Sequence, residues 1–287
     1  MSLEITTAFV QEFSANIDLL SQQMMSRFMD RVRMESQSSE TQFFEQIGAT
    51  DAVEATSRHD DTPRVDTPHA RRAVSLSTFR WADLIDQADK TKLLSNPTTE
   101  YAQSAVMALN RKRDDIVIEA ALGVSRTGKN GTTNVPLPAE QKIVVGGVGL
   151  NLNKLLEASR RLNEEEVDPD MRRYMAITSR QLQDLLEEPE LTSADFAVVK
   201  TLVEGKIDTF MGFTFIRTER LTLDTNGDRQ VIAWAEDGLL MSSGSNDITR
   251  ITEREDKNYS VQVFRQEQFG ATRMEEVKVV EIACLEP

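Results

Sequence analysis

The fold of this chain depends most on residues 96–123, which read NPTTEYAQSAVMALNRKRDDIVIEAALG. Asn96 is a residue type that caps helices, Pro97 suits the first helical position, and Gly123 often ends a helix. Apolar residues recur between them at helical spacing: Ala102, Val106, Leu109, Ile116 and Ala120. We predict one helix over residues 97–123, roughly 40 Å long at 1.5 Å per residue. Helices of this length often form the structural backbone of a domain.

Upstream of this helix, between residues 43 and 82, helical periodicity is absent. Alternating apolar and polar residues over 73–81 predict a strand, whereas Pro63 and Pro68 mark a turn or a loop tip. We interpret residues 43–82 as an extended arm that folds back on itself. Because it has few large apolar residues, we expect it to project from the body. We interpret its arginines as a local positive zone: Arg58, Arg64, Arg71, Arg72 and Arg80.

The N-terminal stretch has the pattern of an amphipathic helix. Large apolar residues recur every three or four positions: Phe9, Phe13, Ile17, Leu20, Met24, Phe28 and Val32. Such a face must be buried, either in the core of the same chain or as a terminal arm on a neighbouring subunit. The pattern leaves both possibilities open. Residues 35–42 are polar and predict a linker.

Downstream of residue 123, helices give way to strands. We predict an amphipathic helix around Leu152–Leu162, a buried strand over 172–178, a short helix over 179–187, and another short helix beginning at Ser193. Strands are predicted over 207–218, 231–235, 260–264 and 277–284, with turns at 225–228 and near Gly270. Since helices lie mainly early and strands mainly late, the predicted fold class is α+β.

Composition limits the possible functions. The chain has 287 residues and a net charge of −14, which disfavours nucleic-acid binding except at a local basic patch. It has one cysteine and two histidines, so catalytic triads and Cys–His dyads have almost no candidates. We see neither a secretory leader nor an apolar run long enough to span a bilayer. We therefore predict a non-enzyme without catalytic residues, cofactor or metal.

Residues 123–130, GVSRTGKN, come closest to a catalytic motif. They fit the Gly-x4-Gly-Lys pattern of a phosphate-binding loop, but Asn130 replaces the hydroxyl residue that would hold magnesium. Such a loop also joins a strand to a helix N-terminus, whereas this one follows a helix. We predict a helix C-cap and a flexible loop, and keep a nucleotide-binding protein that uses Lys129 as an unfavoured alternative.

Two segments carry possible metal ligands. His59 and His69 lie in the arm near Asp60, Asp61 and Asp66, where a His–carboxylate site is conceivable. Residues 224–228, DTNGD, begin like a calcium loop, but Arg229 stands where that loop requires glycine. A hairpin turn is the better interpretation of residues 224–228. The role of the two histidines stays open.

The order of these elements resembles that of tailed-bacteriophage major capsid proteins, whose coat fold is shared with encapsulins and the herpesvirus capsid floor. Three stretches are similar to family segments: residues 174–182 (YMAITSRQL), 205–216 (GKIDTFMGFTFI) and 258–273 (NYSVQVFRQEQFGATR). The resemblance implies the following division of the chain. Residues 1–42 would be an N-terminal arm, 43–90 an extended β-hairpin loop, 91–170 a peripheral domain with spine helix 97–123, 171–250 an axial domain, and 251–287 returning strands of the peripheral domain.

The resemblance also implies a function. Copies would form pentamers and hexamers and close into an icosahedral shell around double-stranded DNA, contacted only non-specifically, with the arm of one subunit over the spine region of its neighbour. A scaffolding protein, a portal and cement proteins are the implied partners, without a membrane, and the chain would be made in the bacterial host cytoplasm before entering the virion. Since the arm has no evident lysine–asparagine pair, covalent crosslinking is not implied. An encapsulin-like compartment is the alternative within the same fold.

Overall fold

The computed structural model describes residues 22–54, 57, 61–62, 64–85, 98–188 and 209–286. Within these ranges the chain forms helices α1 (Thr98–Leu122), α2 (Leu152–Glu164) and α3 (Ser179–Glu187), together with fifteen strands. The predicted α+β class is confirmed. The predicted long helix is also confirmed over Thr98–Leu122, while Asn96 and Pro97 lie outside the described residues.

The strands fall into an early set and a late set. The early strands are β1 (Arg33–Gln37), β2 (Thr41–Ile47), β3 (His69–Ser75), β4 (Ser77–Ile85), β5 (Ser125–Thr127), β6 (Thr133–Val135) and β7 (Lys142–Ile143). The late strands are β8 (Arg173–Ile177), β9 (Thr209–Phe210), β10 (Phe213–Arg217), β11 (Arg229–Ala235), β12 (Leu239–Gly244), β13 (Ile248–Arg254), β14 (Ser260–Arg273) and β15 (Val279–Cys284). Helix α1 thus separates β1–β4 from the remaining strands.

The chain divides into two compact units. The described part of the larger unit comprises residues 26–54, 57, 61–62, 64–77, 112–188, 209–245 and 268–286, and that of the smaller unit comprises residues 22–25, 78–85, 98–111 and 246–267. The larger unit contains a six-stranded sheet in the order β7-β15-β11-β8-β10-β9 and a four-stranded sheet in the order β2-β3-β5-β6. In the smaller unit, β13 pairs antiparallel with the first half of β14.

The core of the larger unit is built around Trp234, whose side chain is fully buried. The Phe28 and Tyr174 rings lie 5.5 and 5.8 Å from it, and the indole Nε1 donates to the Arg31 carbonyl at 2.9 Å. The predicted N-terminal helix is wrong over residues 22–32, which form turns and bends, and its earlier part lies outside the described residues. Packing of Phe28 onto the sheet replaces local helical periodicity here, because burial of a large ring outweighs intrinsic propensity.

The predicted linker over 35–42 is wrong in part. Residues 33–37 form β1, which pairs parallel with β12 from Arg33↔Leu240 to Gln37↔Gly244. The buried Gln37 amide donates to the Ser39 carbonyl at 2.7 Å and to the Val74 carbonyl at 3.3 Å. A polar sequence could become a strand because β12 and the Val74 carbonyl, which satisfy its polar groups, are distant in sequence.

The predicted turn near Gly270 is also wrong, because this glycine lies inside the 14-residue strand β14. A Cβ at this position would come within 2.2 Å of the Ser75 carbonyl oxygen, so the glycine allows a close backbone approach within the strand. The connection between the two predicted strands comes later, after β14 ends at Arg273, and includes a 3-10 turn at Glu276–Lys278 before β15.

The remaining elements follow their local sequence signals. Helix α2 begins at Asn151, whose side chain accepts from the Lys154 N–H at 3.0 Å. All five residues of β8 are buried, and Thr178 and Gln181 form a capping box at the start of α3. These predictions are confirmed. The helix predicted at Ser193 lies outside the described residues.

Candidate functional site: the hairpin before the long helix

Strands β2 and β3 form an antiparallel hairpin, in register from Thr41↔Ser75 to Ile47↔His69. Beyond the last pair, the Gly48 N–H donates to the Pro68 carbonyl at 2.9 Å. The predicted fold-back is confirmed over these strands. The single strand predicted over 73–81 is instead divided into β3 and β4 at Leu76, whose N–H donates to the Glu40 carbonyl at 2.8 Å.

The loop of this hairpin is exposed throughout its described part, which comprises residues 48–54, 57, 61–62 and 64–68. Its apolar side chains are exposed as well. Ile47, the last residue of β2, is 71% exposed, Val53 is 60% exposed and Val65 is 44% exposed. The loop therefore presents apolar surface that the described part of the chain does not cover.

The base of the hairpin, in contrast, is part of the core of the larger unit. Val74 packs with Leu240 and Met274 in a buried cluster, and Phe44 packs against it. The Gln46 side chain donates to the Met274 carbonyl at 2.8 Å. Side chains from β2 and β3 thus fix the hairpin to the end of β14 and the residue that follows it.

Arg72 anchors the base by charge. Its guanidinium donates to the Met274 carbonyl at 2.8 Å and forms an ion pair with Glu276, and the residue is only 7% exposed. Arg72 was predicted to be part of an exposed positive zone, which is wrong. The burial could not be predicted from the sequence because Glu276 lies more than 200 positions away in the chain.

The predicted positive zone is not present in the described loop either. Asp51, Glu54, Asp61 and Asp66 outnumber Arg64, which itself lies 3.2 Å from Asp66. Two further arginines of the arm are also engaged, Arg71 with Glu45 at 2.7 Å and, in the smaller unit, Arg80 with the Gln266 side chain at 2.8 Å. Arg58 lies outside the described residues.

Arg273 holds the end of α1. Its fully buried guanidinium donates to the carbonyls of Ala121 at 2.8 Å, Gly123 at 2.9 Å and Val135 at 3.0 Å, and Glu276 lies 3.7 Å from its Nε. The last carbonyls of a helix have no partner within the helix, so these bonds satisfy groups that would otherwise be unpaired. Burial lowers the pKa of Arg273, and the nearby Glu276 carboxylate opposes that shift.

Residues 123–130 do not form a phosphate-binding loop. The Gly123 N–H donates to the Glu119 carbonyl at 2.8 Å as α1 ends, and the chain continues into the β5–β6 hairpin. The turn of that hairpin uses Gly128 and Gly131, which adopt φ values of 88° and 65°. Over the described residues 129–151 the lysine is followed by strands and one three-residue 3-10 turn but by no α-helix, so the helix N-terminus that binds phosphate is missing from this segment.

No group of three or more His, Cys, Asp or Glu side chains among the described residues could hold a metal ion. His59 and Asp60 lie outside those residues.

In the predicted hairpin turn, the Asp224 carboxylate accepts from the N–H groups of Asn226 at 2.8 Å and Asp228 at 2.9 Å. These bonds lower the pKa of Asp224. The hairpin turn is confirmed, although only one of its two central residues, Gly227 and not Asn226, adopts a positive φ.

A buried polar cluster beneath the edge of the six-stranded sheet has no signal in the sequence. Lys154 is 6% exposed and donates from Nζ to the carbonyls of Val148 and Ala283, each at 2.8 Å. Burial lowers the pKa of Lys154 and raises the pKa of the neighbouring Cys284 thiol to about 12. Cys284 is therefore a protonated, buried thiol at neutral pH, unsuited to nucleophilic chemistry.

No helix among the described residues is long and apolar enough to cross a membrane.

Comparison with known families accounts for nearly the whole chain. The model of the family described as phage capsid protein matches residues 5–286. The chain belongs to the phage capsid protein family. Its expected role as a major capsid protein is thereby supported, and the members of this family are structural proteins.

Solved capsid structures show that this capsid protein shares their fold at low sequence identity. The capsid of Ralstonia phage GP4 has 9% identity and a TM-score of 0.75, with 100% of this chain and 99% of that chain covered. The capsid of cyanophage P-SCSP1u has 12% identity and a TM-score of 0.75, covering 98% and 94%. A chain of Mycobacterium phage Che8 has 15% identity and a TM-score of 0.71, covering 96% and 97%. A comparison with curated protein sequences finds no match.

Proposed function

We propose that this capsid protein assembles with copies of itself, as pentamers and hexamers, into a closed icosahedral shell around double-stranded phage DNA. In this assembly the loop of the β2–β3 hairpin, residues 48–68, lies on an adjoining copy. Many weak, symmetric contacts would then add up to a stable shell. The protein acts as a building unit and not as an enzyme.

One observation carries the proposal: a hairpin with a buried base ends in an exposed loop. Val74 at the base is 1% exposed, whereas Val53 in the loop is 60% exposed. Ile47, Val53 and Val65 on this hairpin expose apolar side chains that a partner could bury. A second copy is the partner that a shell protein always has available.

The domain organisation of the coat fold is part of the proposal. We assign residues 1–42 to an N-terminal arm, 43–90 to the extended loop, 91–170 and 251–287 to a peripheral domain, and 171–250 to an axial domain. Helix α1 serves as the spine of the peripheral domain. This assignment is supported by the family match over residues 5–286 and by the helix observed at Thr98–Leu122.

The remaining partners follow from the family and the charge. A net charge of −14 keeps the inner surface from binding packaged DNA tightly, so contact with DNA is non-specific. We also propose that a scaffolding protein, a portal and cement proteins take part in assembly. The chain is made in the host cytoplasm and ends in the virion.

Loop variants test the proposal. Val53→Asp combined with Val65→Asp places charge where apolar side chains meet a neighbouring copy, and Thr62→Asp with Thr67→Asp places the same charge at polar positions of the same loop. Purified proteins would be compared by negative-stain electron microscopy and size-exclusion chromatography, with thermal unfolding as the control for folding.

We expect shells from the wild type and from the threonine control, and folded but unassembled protein from the valine variant. Because the valines are exposed, its melting temperature should equal that of the wild type. Normal shells from the valine variant would overturn the role of the loop. A wild type that stays monomeric under all assembly conditions would overturn the proposed function itself.

A further inference from the structure

A cleft in the larger unit lies between the β2–β3 hairpin and the turn of the β5–β6 hairpin. It is lined mainly by Glu45, His69, Arg71, Thr127, Lys129 and Thr133, and we call it the basic notch. Its walls are held together by direct bonds. The Thr127 hydroxyl donates to the Arg71 carbonyl at 2.7 Å, and the Arg71 guanidinium donates to the Lys129 carbonyl at 3.3 Å.

The basic notch has basic side chains that its own residues do not engage. Arg71 is paired with Glu45 at 2.7 Å and lies over the Phe43 ring at 5.5 Å. The Lys129 ammonium and the His69 imidazole have no ion-pair or hydrogen-bond partner among the described residues, and both residues are exposed. The notch is thus a preformed site of positive charge on an acidic chain, which suits a carboxylate ligand.

A second feature of the larger unit has the opposite charge. Residues 164–170, which we call the acidic turn, contain five exposed acids: Glu164, Glu165, Glu166, Asp168 and Asp170. Glu164 is paired with Arg160, whereas the Glu165 and Glu166 carboxylates have no ion-pair partner among the described residues.

The acidic turn is rigid and holds one of its acids under strain. The Val167 N–H donates to the Leu162 carbonyl and the Glu166 N–H to the Asn163 carbonyl, each at 3.1 Å, which is the pattern of a Schellman cap. Glu166 has a φ of 55° at the position of this motif where glycine is favoured. A glutamate there costs stability, because its backbone adopts a conformation that favours glycine.

We propose that in the assembled shell the acidic turn of one copy docks in the basic notch of an adjoining copy. Glu165 and Glu166 then face Lys129 and His69. This inference rests on the proposed function, because it identifies a contact within the shell. Both surfaces are preformed, so little conformational entropy is lost on docking, and opposite charges fix the register of the two copies.

Zero-length crosslinking tests the contact directly. Shells assembled from a mixture of ¹⁵N-labelled and unlabelled protein would be treated with a carbodiimide, which joins a lysine amine to a carboxylate only in contact. We expect mass spectrometry to find Lys129 joined to Glu165 or Glu166 with mixed isotope labels, in shells and not in unassembled protein. Links from Lys129 to the loop acids instead, or links only within one copy, would overturn the proposal.

Charge exchange provides the functional test. We expect Lys129→Glu to lower the yield of shells at least about tenfold, since opposing a close charge pair costs 1.4 kcal/mol or more. Adding Glu165→Lys should restore the yield to within about twofold, because the pair is re-formed with exchanged charges. Adding Glu187→Lys instead makes the same change in net charge at an exposed site of α3 and should not restore it.

Three results would overturn the docking contact. Lys129→Glu could assemble normally, which would leave the proposed shell function intact. Both double variants could restore assembly equally, which would make the effect one of net charge. A Lys129→Glu defect that occurs only when DNA is present would identify a phosphate as the ligand of the notch.

Discussion

The two ends of the β2–β3 hairpin differ in the burial of the same types of residue. At the base, Val74 is 1% exposed and Arg72 is in a buried ion pair. In the loop, Val53 is 60% exposed and Arg64 is in an ion pair whose members are 89% and 87% exposed. The same types of residue therefore stabilise the single chain at one end and leave surface for other molecules at the other end.

The largest effect is expected at the buried arginine that holds the end of α1. Arg273→Met keeps the apolar length of the side chain but removes the donors to three carbonyls. We expect the free energy of unfolding to fall by about 3–5 kcal/mol. Arg64→Met, in the exposed loop, should change it by no more than about 0.5 kcal/mol. Urea unfolding of the two variants would measure both values, and similar losses would contradict the distinction between buried and exposed arginines.

Neighbouring arginines of β3 sharpen the comparison. Arg72→Met leaves the Glu276 carboxylate and the Met274 carbonyl without a buried donor, and we expect a loss of about 3 kcal/mol. Arg71→Met removes a partly exposed pair with Glu45 and should cost less than about 1 kcal/mol. Equal losses of unfolding free energy, measured with urea, would show that the burial of Arg72 does not make it more important for stability than Arg71.

The acidic turn should show the reverse effect, in which a surface residue lowers stability. Glu166→Gly relieves the positive φ at the cap of α2 and should raise the free energy of unfolding by about 0.5–1 kcal/mol. Glu165, with a φ of −86°, has no such strain, so Glu165→Gly should give no gain. Thermal unfolding would measure the stability of both variants. A lower stability of Glu166→Gly would show that the backbone of Glu166 is not strained.

The smallest effect is expected at the exposed ion pairs of α2. Arg160 and Arg161 lower the pKa of Glu157 to about 2 by hydrogen bonds to its carboxylate. A carboxylate whose pKa is lowered by folding stabilises the protein at pH values above its unfolded pKa of about 4.3. This stabilisation is lost as the pH falls towards 2. Glu157→Gln should therefore cost less than about 1 kcal/mol at pH 7 and nothing near pH 2. Unfolding measured at both pH values checks this, and a pH-independent difference would contradict it.

Features with local signals were predictable from the sequence. Helix α1 has apolar residues at helical spacing in its own sequence, α2 is capped by Asn151, and β8 contains four consecutive buried apolar residues, Tyr174 to Ile177. Features set by distant parts of the chain were not. Strand β1 exists because it pairs with β12, and the strand continues through Gly270 because β14 pairs with β12 at Ser242.

The candidate site divides in the same way. The fold-back of the arm was predictable from alternation and prolines, because these act on the local backbone. The buried roles of Arg72 and Arg273 were not, since their partners are remote in sequence and an arginine has no local sign of burial. The same limit applies to Lys154, whose acceptors include the Ala283 carbonyl 129 positions away.

Hydrogen exchange measured by mass spectrometry, on unassembled protein and on shells, tests the central claim most directly. The account predicts that amides of residues 72–74 at the hairpin base are protected in both states, while amides of the described loop residues 49–54, 57, 61–62 and 64–67 become protected only in shells. Loop amides that exchange equally fast in both states would contradict it.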